Sequence, residues 1–314
     1  MPSYSTTYRA MGSPFSIRID CKEPEPRTSE LFTMLQDHTE ELEQILSRFR
    51  TNSELTALNR CVGEVSQVSN ALASVLSLAD QMHRLTTGAF TPYVLTSLHN
   101  IGYIGAPVSQ GTPSRREQSS LFEWVSAHQI RIQAPVDLGG IGKGYTADVL
   151  SSLIENFLDP DSLTGYIVDA GGDIVLRGGQ ENGEPWSIGV ENPFQPDTLA
   201  AALGFPPTAD RTAVCTSSLQ RKSWLHNGDV VHHMIDPQTG SSLTTELMAS
   251  TAIGISAART EVFTKFLFFQ HAQRDYRWLG ESLPFLAMTK NREFTCSPDM
   301  VPLLTWLSPG VTVV

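Results

Sequence analysis

The chain has 314 residues, of which 40% are hydrophobic and 18% charged, a balance that suits a folded protein and excludes an intrinsically disordered one. Its formal net charge of −11 argues against a nucleic-acid partner, because an acidic surface repels a phosphate backbone. A small anionic ligand is compatible with that charge, since glycine-rich turns and helix N-termini create local positive potential.

The length suits one unit over 1–314, built as a single large domain or as two lobes sharing one core. Cys21, Cys61, Cys215 and Cys296 are far apart and form no Cys-x-x-Cys pair, so reduced thiols are expected in place of a disulfide framework or a zinc site. Met1 to Asp20 holds neither an uninterrupted apolar core nor a cleavage pattern, and the longest apolar stretch, near Val262 to Phe269, is broken by Thr264 and Lys265. No membrane span and a cytoplasmic location are therefore expected.

In chain order, Tyr8 to Asp20 alternates Phe15, Ile17 and Ile19 with polar neighbours and reads as a strand. Ser29 to Arg48 places Leu31, Leu35, Leu42, Ile45 and Leu46 near helical spacing, and Asn52-Ser53-Glu54 opens a short second helix. Ser69 to Thr86 is an amphipathic helix with Leu72, Val75, Leu76, Ala79 and Met82 on one face, closed by Gly88. Ala106 to Gln118, rich in Pro, Gly and Ser, reads as a loop. A short strand at Ile130 to Ile132 precedes a helix running from beyond Gly144 through Phe157.

Further strands are expected at Tyr166 to Val168, Ile174 to Leu176 and Trp186 to Val190. Thr212 to Val214 and Val230 to Ile235 read as a pair in one sheet. A helix from Ala257 to His271 and a late strand at Phe285 to Met288 complete the series. Strands joined by short turns favour an α+β architecture with antiparallel sheets packed with helices over a doubly wound one.

Three segments could carry chemistry. In Val136-Asp137-Leu138-Gly139-Gly140-Ile141-Gly142-Lys143-Gly144-Tyr145, glycines let backbone N–H groups approach a phosphate, a helix follows, and Lys143 adds a point charge. The spacing is not that of a Walker A loop. The plainer reading is a strand-to-helix turn with a solvated lysine. Asp169-Ala-Gly171-Gly172-Asp173 brackets a double glycine with two carboxylates; these could receive ribose hydroxyls, but taken alone the segment reads as an ordinary hairpin turn. His233, ahead of the turn Asp236-Pro237-Gln238-Thr239-Gly240, stands where a general base or ligand contact could stand, or a structural histidine.

Taken together and in order, these segments join Met11-Gly12-Ser13, Ser47-Arg48-Phe49-Arg50-Thr51-Asn52-Ser53-Glu54-Leu55, Gly88-Ala89-Phe90-Thr91, Pro185 to Pro193, Ala213-Val214-Cys215-Thr216-Ser217 and the closing helix. From about residue 8 to 290 the chain resembles the FAD:protein FMN transferase (ApbE) family, with its T-fold-like architecture. The resemblance implies a flavoprotein transferase that binds FAD, with Mg²⁺ bridging the pyrophosphate. It would move FMN to a threonine of an acceptor protein and release AMP.

Carried over by position, Met11 touches the flavin region, and Phe49, where Tyr is common, stacks on the isoalloxazine. Ala89 and Phe90 line the nucleotide pocket, with Thr91 in place of an Asp. Gly140, Ile141, Gly142 and Lys143 face the pyrophosphate, Asp169 contacts the nucleotide, Thr216 and Ser217 match a Thr-Ser pair, and His233 lies near the reacting phosphate. Lys143 and His233 are the catalytic candidates.

The metal position departs from the family. Glu261 is the candidate ligand, but Lys265, four residues on, replaces the expected second one, and a lysine cannot ligate a cation. At that spacing the two suit a helical ion pair. A surface ion pair is the commoner case; the sharper reading is an ammonium standing in or near the vacated metal position. Thr264 is out of register by about 100°. Two enzymatic alternatives follow, an FAD pyrophosphatase or an enzyme that retains FAD for different chemistry. A third, from another class, is a non-catalytic flavin-binding protein.

Overall fold

Both residues of the Met11-Gly12 turn have positive φ, 50° and 71°, the geometry of a tight hairpin. The run from Tyr8 to Asp20 is therefore two antiparallel strands, Ser3–Ala10 and Ser13–Cys21, rather than the single strand expected. The inward set shifts across the turn from even positions (Tyr4, Tyr8, Ala10) to odd ones (Phe15, Ile17, Ile19), because Ala10 pairs with Ser13; the expected alternation belongs to the second strand alone. The computed structural model describes residues 2–103, 120–271, 283–308 and 312–313; the expected loop Ala106 to Gln118 lies outside them.

The chain divides into two compact units. The first comprises Met1–Glu40, Lys143–Gln220 and Glu246–Val314. Its main sheet runs in the order Ser3–Ala10, Ser13–Cys21, Leu163–Ala170, Asp173–Gly178, Thr208–Ser218, Leu247–Gly254, Phe285–Thr289, Glu293–Cys296 and Thr312–Val313. Every pairing is antiparallel except the last.

Adjacent strand residues point to opposite faces of a sheet, and the core divides accordingly. Val175, Ala213 and Cys215 join Ala147, Leu150 and Ile154 of the helix Gly142–Phe157. Leu176 and Val214 join Trp186, Ile188, Leu203 and Phe205 of a small second sheet. Helices cover one face of the main sheet and a sheet covers the other.

The second unit comprises Glu41–Gly142 and Arg221–Thr245. The helix Glu54–Arg60 is capped by Ser53 and the helix Asn70–Leu85 by Ser69, as Ser at an N-cap should do. Leu72, Val75, Leu76, Ala79 and Met82 are all buried. The buried Asn59 amide brackets Val136, donating to its carbonyl at 2.8 Å and accepting from its N–H at 2.7 Å. The expected partnership of Thr212–Val214 with Val230–Ile235 does not form. Asp229–His232 pairs instead with Ser223–His226, in a two-stranded sheet of its own. The turn between them is Asn227-Gly228, both at positive φ.

Two helices of the first unit exchange caps. The Gly144 N–H, in the first turn of Gly142–Phe157, donates to Glu261 Oε2 at 2.9 Å. In return Asp148 of that helix accepts from the Ala257 and Ala258 N–H groups at 2.8 and 3.0 Å, and from the Ser256 hydroxyl at 2.7 Å, at the start of Ala257–Gln270. Each carboxylate satisfies N–H groups that an α-helix leaves unpaired, and meets the positive end of a helix dipole. A Cβ on Gly144 would lie 2.5 Å from the Ala257 carbonyl oxygen, so only glycine allows the approach.

Gly144→Ala forces the two helices apart and breaks the Glu261 cap. The expected cost is about 2–3 kcal/mol, read as a lowered melting temperature; an unchanged one would contradict the exchanged-cap account. A pH dependence follows from Glu155, which accepts from Tyr166 Oη at 2.7 Å and Arg211 Nε at 2.9 Å and pairs with Arg177 at 3.3 Å. Burial raises its pKa, but Arg211, Tyr166 and Arg177 outweigh that and hold it below the ordinary 4.5. The stabilisation is therefore present above the unfolded value and lost as pH falls through the depressed one. Urea titrations should show Glu155→Gln less stable than wild type at pH 7, with the difference closing below pH 4.5. A pH-independent difference would contradict the assignment.

Candidate functional site

In the first unit, the exchanged caps bring a buried carboxylate of one helix to the first turn of another, and Lys143 stands in that turn. The Lys143 ammonium pairs with Asp173 and lies 3.7 Å from Glu261 Oε1. Lys265 Nζ reaches the same Oε1 at 3.1 Å and the Glu261 carbonyl at 3.2 Å. The four side chains form one ionic cluster, with the carboxylates 1% and 2% exposed and the lysines 18% and 15%. An ordinary surface ion pair between Glu261 and Lys265 is thereby ruled out.

The electrostatics follow from burial and pairing. Burial lowers the pKa of Lys143, but Asp173 and Glu261 more than reverse it and hold the ammonium charged. Burial would raise Glu261, yet Lys265, Lys143 and the Gly144 N–H pull it below its usual range. Asp173 is raised, first by burial and then by the neighbouring Glu261 charge, against the pull of Lys143. Its Oδ1 is buried without a hydrogen-bond partner.

Other expected residues adjoin this cluster. Cys215 pairs in register with Asp173, which puts Thr216 and Ser217 on the strand beside it. Thr216 hydrogen-bonds Thr251 at 2.9 Å. Ser217 bonds Thr264 at 2.7 Å, while Thr264 donates to the Glu261 carbonyl at 2.7 Å. Asp169 accepts from the Gly172 N–H at 2.7 Å, and burial raises its pKa. Met11 Sδ accepts from Thr146, on the Lys143 helix, at 3.6 Å.

A second group lies in the other unit. The Arg48 guanidinium pairs with Asp137 and sits 4.1 Å from the ring centre of Phe49 and 4.9 Å from that of Tyr103. Phe49, 56% exposed, meets Tyr103 edge-on, and Tyr103 stacks on Trp224 at 5.0 Å. The Trp224 indole donates to the Ile101 carbonyl at 2.7 Å. Ala89 and Phe90 are fixed through their N–H groups to Thr86, Thr91 accepts from the Tyr93 N–H, and the His233 N–H donates to the Lys222 carbonyl. Ile141 and Gly142 both donate their N–H groups to the Leu138 carbonyl, so these two groups close the turn that leads into the helix.

Sequence reasoning did not find Asp148, Tyr103 or Trp224. Asp148 caps a helix start more than a hundred residues away in the chain, and the aromatic stack joins segments with no shared motif. The Asn227-Gly228 turn was a readable signal for the hairpin that carries Trp224.

A divalent metal requires several oxygen ligands at roughly 2.0–2.6 Å. Both Glu261 carboxylate oxygens are engaged, one by two ammonium groups and the other by the Gly144 N–H. Among the described residues no group of three His, Cys, Asp or Glu is placed to hold a metal. The residues present do not fit Mg²⁺. Among the described residues, also, no helix is long and apolar enough to cross a membrane.

The model of the ApbE family matches residues 11–288. The FAD:protein FMN transferase of Salmonella typhimurium is 26% identical over 311 residues, covering 93% of this chain and 83% of that protein. One from Klebsiella pneumoniae is 25% identical over 325 residues, covering 99% and 97%. Among solved structures, the ApbE protein of Thermotoga maritima superposes with a TM-score of 0.81 at 23% identity, covering 96% of this chain and 99% of that one. The apo flavinyl transferase ApbE of Pseudomonas stutzeri gives 0.76 at 17% identity, covering 98% of each. At these identities the superpositions establish the shared fold, and the family match over most of the sequence establishes the rest: the chain belongs to the ApbE family.

Proposed function

We propose that this protein is an FAD:protein FMN transferase. It binds FAD, and a threonine hydroxyl of an acceptor protein attacks the flavin-side phosphorus. A P–O bond forms to the threonine, the P–O bond to the AMP half breaks, and AMP leaves. The threonine proton passes to a base, the role assigned to His233. The observation that carries the reading is the Lys143 ammonium, held charged in the first turn of a helix that follows a glycine-rich segment. Phosphoryl transfer is catalysed mainly by positioning and charge neutralisation, and Lys143 supplies a fixed positive charge for both.

The remaining assignments follow the chemistry of each group. Thr216, Ser217 and Asp169 offer hydroxyls and a carboxylate to the nucleotide, with Met11 beside the Lys143 helix. Phe49, backed by the Arg48 guanidinium, offers an exposed ring for stacking on the isoalloxazine. Because the residues do not fit Mg²⁺, no step is assigned to a metal.

Incubation with FAD and a threonine-containing acceptor, followed by mass spectrometry, should yield AMP together with FMN covalently bound to the acceptor. AMP with free FMN would replace transfer by hydrolysis, and intact FAD without AMP would replace it by retention. The variant His233→Asn should release AMP about 100-fold more slowly while binding FAD as wild type does. An unchanged rate would remove His233 from the chemistry.

A further inference from the structure

We infer that Lys265 and Lys143 together form a built-in cationic site for a diphosphate, so that nucleotide binds here without a divalent metal. The occupant's identity as FAD rests on the function proposed above, whereas the site itself rests on the ionic cluster.

The arrangement is polarised. Asp173 and Glu261 are the shielded members, and both lysines keep partial exposure. An anion arriving from solvent therefore meets ammonium groups rather than carboxylates. Each ammonium carries three N–H donors. Lys265 gives two to Glu261, at its carbonyl and at Oε1, and keeps a third. The paired carboxylates hold the cations charged and in place, so neutralising a phosphate needs little rearrangement.

The same contacts oppose a metal. A cation placed on Glu261 Oε1 would lie beside Lys265 Nζ, which is 3.1 Å from that oxygen, and like charges at that range repel strongly. Thr264 is already engaged by Ser217 and by the Glu261 carbonyl, and it lies about 100° around the helix from Lys265. The bond to Ser217 stabilises a strand–helix contact and the bond to the carbonyl lies within the helix. A single lysine at position 265 thus removes a metal ligand and provides a charge in its place.

The test uses the full chain treated with EDTA, with inorganic pyrophosphate and FAD as probes, titrated calorimetrically with and without added Mg²⁺. Wild type should bind both probes with dissociation constants that Mg²⁺ leaves within about twofold. Lys265→Thr should weaken metal-free binding about tenfold and recover on addition of Mg²⁺. Lys265→Arg should retain metal-free binding, and its melting temperature reports whether the position tolerates change. Wild-type binding abolished by EDTA and restored by Mg²⁺ would overturn the proposal, as would no binding of either probe in any condition. Metal-free binding of pyrophosphate but not of FAD would uphold the cationic site and overturn the flavin reading instead.

Discussion

The exchange of carboxylate caps between two helices is the constraint on which the first unit's site depends. Glu261 closes the start of the Lys143 helix, and Asp148 closes the start of the Glu261 helix. Neither helix can shift along its axis without exposing its own N–H groups or those of the other. Gly144 permits the approach by leaving no Cβ at the crossing. A buried Glu261 is thereby fixed beside Lys143, and the charge balance of the cluster follows. Two carboxylates buried together would be costly; Lys143 and Lys265 offset them.

That balance changes how the family's chemistry is read in this chain. The family resemblance makes Glu261 the candidate metal ligand. Here Glu261 is already a helix cap and the partner of two ammonium groups. Fixed lysine charges differ from a bound cation in one important respect: they are present at every metal concentration. They also deliver less charge per site than a divalent ion, so the chemical step depends more heavily on how well the phosphate is positioned.

Much of this was legible in the sequence, and the exceptions have physical causes. The helix at Ser69 to Thr86 declares itself by period and cap, and the structure places it at Asn70–Leu85. The Lys143 segment was readable as a turn into a helix. Ile141 and Gly142 donate their N–H groups to the Leu138 carbonyl, so the proposed phosphate role falls to the Lys143 ammonium and not to these two groups. Strand partnership was readable only where a turn declares it. Asn227-Gly228 marks Val230 for the hairpin with Ser223–His226, whereas nothing local states that Thr212 pairs with Asp173–Gly178. Long-range contacts behaved the same way: Asp148 looks like an ordinary helical aspartate until Ala257 is beside it. Glu261 and Lys265 were visible as a pair, but only burial turns a helical ion pair into part of a site.

The central claim is that fixed ammonium groups do the work of a cation. It is tested most directly by a crystal structure of the protein grown with FAD and Mn²⁺, using anomalous scattering to locate the metal. The account predicts a phosphate oxygen within hydrogen-bonding distance of Lys265 Nζ, the Lys265–Glu261 contact retained, and no anomalous peak beside Glu261. A manganese peak on the Glu261 carboxylate, with Lys265 turned away, would contradict it.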